Sequence, residues 1–81
     1  MKTFHLTVAK VGENLFDGKV ISVSLPGSEG VFQVLAEHEA FVSELKEGEM
    51  HIRTSDGQIS DFRLPDGGVA EVSRNQATVL L

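Results

Sequence analysis

The sequence contains no cysteine, no tryptophan and no tyrosine, and only two prolines. Without cysteine there is no disulfide framework, no thiolate zinc site and no cysteine nucleophile. Without Tyr and Trp, stacking platforms for single-stranded nucleic acid or sugar rings are scarce. Long apolar runs are missing too, and nothing approaches the roughly 18–20 residues that span a bilayer. Met1-Lys2-Thr3-Phe4-His5 lacks the apolar stretch of a secretory signal. Positive charge is also short. Seven Lys and Arg stand against twelve Asp and Glu, giving a net charge of −5. The bases are scattered, which disfavours wrapping a phosphate backbone, where affinity comes from Lys and Arg displacing counterions. No nucleic-acid partner is expected, and the composition suits a soluble cytoplasmic domain.

What is present is a set of short alternating pieces punctuated by eight glycines. Eighty-one residues suit a single domain over 1–81. A core of that size is thin, and docking or oligomerisation is the usual remedy. Phe4, Leu6 and Val8 share one face at the strand period of two. From Val20 to Leu25 the same period puts Ile21, Val23 and Leu25 inside and Ser22 and Ser24 outside. Pro26-Gly27 then stops the run. Val31 to Leu35 reads as a further strand.

Met50 to Leu64 predicts a hairpin around Asp56-Gly57. A two-residue turn would set Ile52 against Asp61. A three-residue loop, Ser55-Asp56-Gly57 with Gly57 in the left-handed region, sets Met50 against Phe62 and keeps the apolar residues on one face. Val69 to Val72 and Ala77 to Leu81 predict a second hairpin with its turn at Arg74-Asn75. Glu39 to Glu49 is ambiguous, and its pattern leaves a strand or one helical turn open. Turn signals about every ten residues predict an all-β fold, a two-sheet antiparallel sandwich of about ten short strands.

The chain offers little for chemistry. His5, His38 and His51 are far apart in sequence and show no helical zinc spacing. His5 and His51 fall at outward strand positions, and His38 lies between Glu37 and Glu39 in a loop. Glu37, Glu39, Glu44, Glu47 and Glu49 cluster around Lys46, either as a solvated face or as a docking surface for a basic partner. Gly27-Ser28-Glu29-Gly30 is not followed by Gly-Lys-Ser/Thr, and Gly67-Gly68 precedes a strand. Both read as turns rather than phosphate cradles. No Gly-x-Ser-x-Gly appears. A structural or docking module is therefore expected, with no catalytic, metal or cofactor site.

The ordered set of motifs resembles the N-terminal β-sandwich domain of the epsilon subunit of bacterial F-type ATP synthases (the mitochondrial delta subunit). Phe4-His5-Leu6-Thr7-Val8 looks like that family's opening strand. Leu15-Phe16-Asp17-Gly18-Lys19-Val20 is similar to its Phe-x-Gly-x-Val element. Pro26-Gly27-Ser28-Glu29-Gly30 is similar to its Gly-(Ser/Ala)-Glu-Gly turn. Leu45-Lys46-Glu47-Gly48 resembles its Leu-Lys-x-Gly, and Gly67 to Leu80 its Gly-Gly-Phe-x-Glu-Val-x-x-Asn-x-x-Thr-Val-Leu ending. Leu35-Ala36-Glu37-His38-Glu39-Ala40 stands where the family has Leu-Pro-Gly-His-Ala-Pro, so both prolines and the glycine are replaced and two acids gained.

The resemblance implies a non-catalytic rotor subunit. Its partners would be the gamma subunit at the foot of the central stalk and the membrane c ring, at the cytoplasmic face of the inner membrane. The partner-binding residues it implies are Ser28, Glu29, Gly30 and Val31 in the turn, and His38 in the loop. Phe16, Phe41 and Val42 are apolar candidates beside them. The family commonly continues into two C-terminal helices, and no such helical domain is expected within these residues. Two other classes compete. A biotinyl or lipoyl carrier is also acidic, all-β and about this size, but needs a lysine at an exposed hairpin tip. A small ligand-binding sandwich lacks here the aromatic lining such pockets usually show.

Overall fold

The computed structural model describes residues 2–81. They form eight β-strands and no helix. These are β1 (Phe4–Lys10), β2 (Glu13–Gly27), β3 (Gly30–Leu35), β4 (Phe41–Glu44), β5 (Gly48–Thr54), β6 (Ile59–Leu64), β7 (Val69–Ser73) and β8 (Gln76–Leu80). The count is eight, against the about ten expected, and residues 13 to 27 form one continuous strand.

That 15-residue strand organises the molecule. Its first half pairs with β1, in the layer β4-β7-β8-β1-β2. Its second half lies between β3 and β5, with β6 beyond, in the other layer. The change of layer falls at a bulge: Val20 lies opposite Thr54 and Ser22 opposite Arg53, so Ile21 is the extra residue. A bulge bends its strand and shifts the in–out phase by one residue. Val20 therefore enters the core fully buried, while Ile21 turns to the outer face. This corrects the simple alternation that placed Ile21 inside. Val23 and Leu25 point inward as expected, each fully buried.

Between the layers sit Phe4, Leu6 and Val8 of β1 and Ala70, Val72, Ala77 and Val79 of β7 and β8. Facing them are Val23, Leu25, Val34, Met50, Ile52 and Leu64. No buried side-chain polar atom among the described residues lacks a hydrogen-bond partner. Burying a Leu or Val side chain contributes about 1.5–3 kcal/mol, which is how so small a core can offset chain entropy.

The β5–β6 hairpin takes the three-residue loop. Met50 lies opposite Phe62 and Ile52 opposite Ser60, and the Gly57 N–H donates to the Thr54 carbonyl (3.0 Å). Gly57 has φ +88° with open space around it, so it is there for its conformation. The β7–β8 hairpin turns at Arg74-Asn75. The ambiguous segment resolves as strand β4, in register with β7 from Phe41–Val72 to Glu44–Val69. Among the described residues every strand pairing is antiparallel but one: β1 and β8 run parallel, His5 beside Gln76 through Ala9 beside Leu80.

Candidate functional site

The two layers meet at an open seam between β3 and β4. Among the described residues β3 pairs with β2 alone and β4 with β7 alone, so each presents a free edge there. One end of the seam is closed by a short bridge between Gly27 and Leu45. The Ser28 N–H donates to the Glu44 carbonyl and the Lys46 N–H to the Pro26 carbonyl, both at 2.9 Å. The chain then turns at Ser28-Glu29 into β3, and the two edges separate.

Between them lies a shallow concavity of about 440 Å³. Its lining includes Ser28, Glu29, Gly30, Val31, His38, Phe41 and Val42. Seven of the eight residues singled out from the sequence are thus brought to one place from three separate stretches. The eighth, Phe16, is not among them. It lies on the first half of β2 and packs edge-to-face on Phe62 of β6, ring centres 6.5 Å apart.

The floor of the seam is aromatic. Phe41 meets Phe32 edge-to-face with centres 5.2 Å apart, and the His38 ring tilts against Phe41 at 5.0 Å. Such pairs add about 0.5–1.5 kcal/mol beyond burial and fix ring orientation. His38 Nδ1 donates to the Glu39 carbonyl (2.7 Å), which sets its tautomer and holds the ring on Phe41. Phe41 is half-buried and packs against the core, so it serves its own domain and the seam together. The rim is apolar and uncovered: Val31 is 75% exposed and Val42 66%.

Two glycines of the motif turn have different physical reasons. A Cβ on Gly27 would sit 2.8 Å from the Gly30 carbonyl oxygen and 2.9 Å from the Phe32 ring. Gly27 is therefore needed for space, because β3 folds back tightly over it. Gly30 has φ +133° and open surroundings, so it is needed for its backbone conformation. In the following loop Glu37 adopts φ +64°. It stands at the glycine position of the resembled motif, and the backbone keeps a left-handed turn with a side chain that disfavours it. Glu37 also meets Lys2 at 3.0 Å, but both are well exposed and the pair adds little.

The acids of 37–49 do not form one patch. Glu47 is drawn to Arg63 (3.3 Å), while Glu49 lies beside His51 on β5. Glu29 lines the seam, and Glu39 and Glu44, next in sequence to the lining residues His38 and Ser43, are also exposed. The outward histidines pair with aspartates across strands, His5 with Asp17 and His51 with Asp61 (2.6 Å). The hydrogen bond from His51 to Asp61 raises the His51 pKa above its ordinary value. Thr54 and the Gln58 N–H hold the Asp56 carboxyl below its ordinary range at the β5–β6 loop.

A larger concavity of about 550 Å³ lies on the outer face of the second layer, lined by Ile21, Leu35, Ile59, His51 and Arg53 among others. None of the eight residues picked as partner-binding falls there, and Ile21, which reads as inward, reaches it through the bulge. Nothing in the alternation from Val20 to Leu25 signals it.

The chain is an all-β sandwich with two concavities on its surface. Comparison with known proteins gives that class a family. Residues 3–81 match the family described as "ATP synthase, Delta/Epsilon chain, beta-sandwich domain", and the chain belongs to that family. It is 35% identical over 79 residues to the ATP synthase epsilon chain of Chlorobium limicola, covering 98% of this chain and 89% of that one. It is 40% identical over 81 residues to the epsilon chain of Nitratiruptor sp., covering all of this chain and 62% of the relative. Against the epsilon chain of Bradyrhizobium sp. (strain ORS 278), at 39% identity, it spans 58% of the length. Among solved structures, a chain of the Euglena gracilis mitochondrial ATP synthase, OSCP/F1/c-ring, superposes with a TM-score of 0.89 at 24% identity, covering 96% of this chain and 49% of that one.

Proposed function

We propose that this chain is a non-catalytic central-stalk subunit of an F-type ATP synthase. It docks the gamma subunit onto the membrane c ring and so helps couple ion flow to ATP synthesis. It belongs, on this reading, at the cytoplasmic face of the inner (cell) membrane, held there through the complex. The observation that carries the reading is the seam, where residues from the Gly-Ser-Glu-Gly turn, the His38 loop and β4 share one apolar-rimmed surface. A part that transmits torque needs a stiff body and an adhesive edge. The layered core supplies the first, and Val31, Phe41 and Val42 supply the second.

The test is association with the cognate gamma subunit. Mixed at micromolar concentration and run on a sizing column, the two are expected to co-elute. Separate elution overturns the proposal. A carrier function is disfavoured by the hairpin tips, since neither Ser55-Asp56-Gly57 nor Arg74-Asn75 offers a lysine. A small-ligand sandwich draws its support from the outer-face concavity of about 550 Å³. A thermal-shift response to a small molecule, abolished by Ile59→Asp, favours that reading instead.

A further inference from the structure

The seam has an unfinished hydrogen-bond ladder. In an antiparallel pair, successive residues turn their N–H and C=O alternately towards and away from a given neighbour. Leu45 exchanges backbone bonds with Gly67 and Gly68, on the β7 side. Glu44 turns the other way, and its carbonyl accepts from Ser28. By the same alternation Val42, two residues earlier on β4, directs both its backbone groups away from β7 and into the seam. Ser28 would be followed by a residue able to meet them, but the chain leaves for β3 at the Ser28-Glu29 turn. The first rung is made and the next is left open, beside an exposed valine.

We propose that an extended segment of the gamma subunit adds as a strand along β4, continuing the ladder that Ser28 begins. The inference rests on the docking reading above and specifies how the seam holds its partner. The added segment runs antiparallel to β4 and exchanges bonds with the Val42 N–H and C=O. It lays one apolar side chain against Val31 and Val42 on the rim. Its remaining chemistry follows from charge. Glu29 lines the seam, Glu39 and Glu44 are exposed beside its lining residues in the sequence, and Lys46 is the nearby base. The segment that fits is basic, carrying Lys or Arg at alternate positions.

The test is hydrogen exchange at the Val42 amide in the chain alone and in its complex with gamma. Exchange is expected to slow at least about tenfold on binding, along with a basic segment of gamma. Val42→Pro removes the N–H that faces the seam while keeping the β7 pairing, since proline is tolerated at an edge position of this kind. It is expected to weaken gamma binding at least about tenfold, whereas Val42→Ala, which keeps the N–H, loses much less. Glu29→Lys combined with Glu44→Lys is expected to weaken binding, and stronger binding of that variant overturns the basic assignment. If gamma co-elutes but the Val42 amide stays unprotected, strand addition is overturned while docking stands. Equal binding of a folded Val42→Pro chain has the same consequence. If gamma does not bind the unmodified chain, both proposals fall. Should Val42→Pro fail to fold, the exchange measurement alone decides.

Discussion

Two phenylalanine pairs bridge the layers, Phe32–Phe41 where β3 meets β4, and Phe16–Phe62 where β6 meets the first half of β2. Both are edge-to-face, and all four rings pack against the core. Their surroundings differ. Around Phe16 and Phe62 the charges are paired off: Asp17 with His5, Asp61 with His51, and Arg63 with Glu47. Around Phe32 and Phe41 the rim is bare valine, and Glu29 has no ion partner among the described residues. The same aromatic device stops both openings. What surrounds it separates a finished surface from one that suits a partner.

The largest expected effects set the two openings against each other. Phe16→Ala and Phe41→Ala should each destabilise the fold by about 2 kcal/mol in a urea melt, less than a fully buried Phe because both rings are half-exposed. Only Phe41→Ala should also weaken gamma binding, at least about tenfold. Equal loss of gamma binding in Phe16→Ala breaks the comparison. Next come two glycines. Gly27→Ala forces a Cβ against a carbonyl and should cost about 2 kcal/mol. Gly57→Ala meets nothing but must hold a positive φ, and should cost about 1 kcal/mol. If the order reverses in thermal melts, close approach is not what Gly27 provides. Smaller still, Glu37→Gly should stabilise by about 0.5–1 kcal/mol by relieving the left-handed side chain. A lowered melting temperature shows that the Lys2 contact outweighs the strain.

The weakest effect is on pH. The folded chain holds the His51 proton more tightly than the unfolded chain does, because Asp61 accepts from it. That contribution is present below the ordinary histidine value and is lost as pH rises through the raised one. Asp61→Asn should flatten the slope of melting temperature between about pH 6 and 8. An unchanged slope assigns it to another group.

Local features were legible where a turn fixes its own register. The choice of Ser55-Asp56-Gly57 over a two-residue turn followed from which face kept Met50 and Phe62 together, and that register is the one found. The Arg74-Asn75 hairpin was equally local. Failures came where something distant decides. Ile21 read as inward because nothing in Val20–Leu25 announces the layer change that inserts it as a bulge. Phe41 to Glu44 stayed open between strand and helical turn because its pairing partner lies about thirty residues away on β7. For the seam, the residues came from motifs in order along the chain. That β3 and β4 would face each other as free edges of different layers is a property of topology, and no spacing encodes it. The outer-face concavity was invisible for the same reason as Ile21.

The parallel pairing of β1 with β8 has a consequence for synthesis. Leu6 and Val8 lie beside Ala77 and Val79, so neighbours in space are about seventy residues apart along the chain. Hairpins such as β5–β6 can close within microseconds of leaving the ribosome, since their partners are adjacent. The first layer cannot. Until β8 emerges, β1 has β2 on one side and nothing on the other, and β4 and β7 have no route to it. A fold governed by such distant contacts closes slowly, in about milliseconds to seconds. The edge that a partner would later use at β4 is thus assembled last, with the strand that joins it to the rest of the molecule.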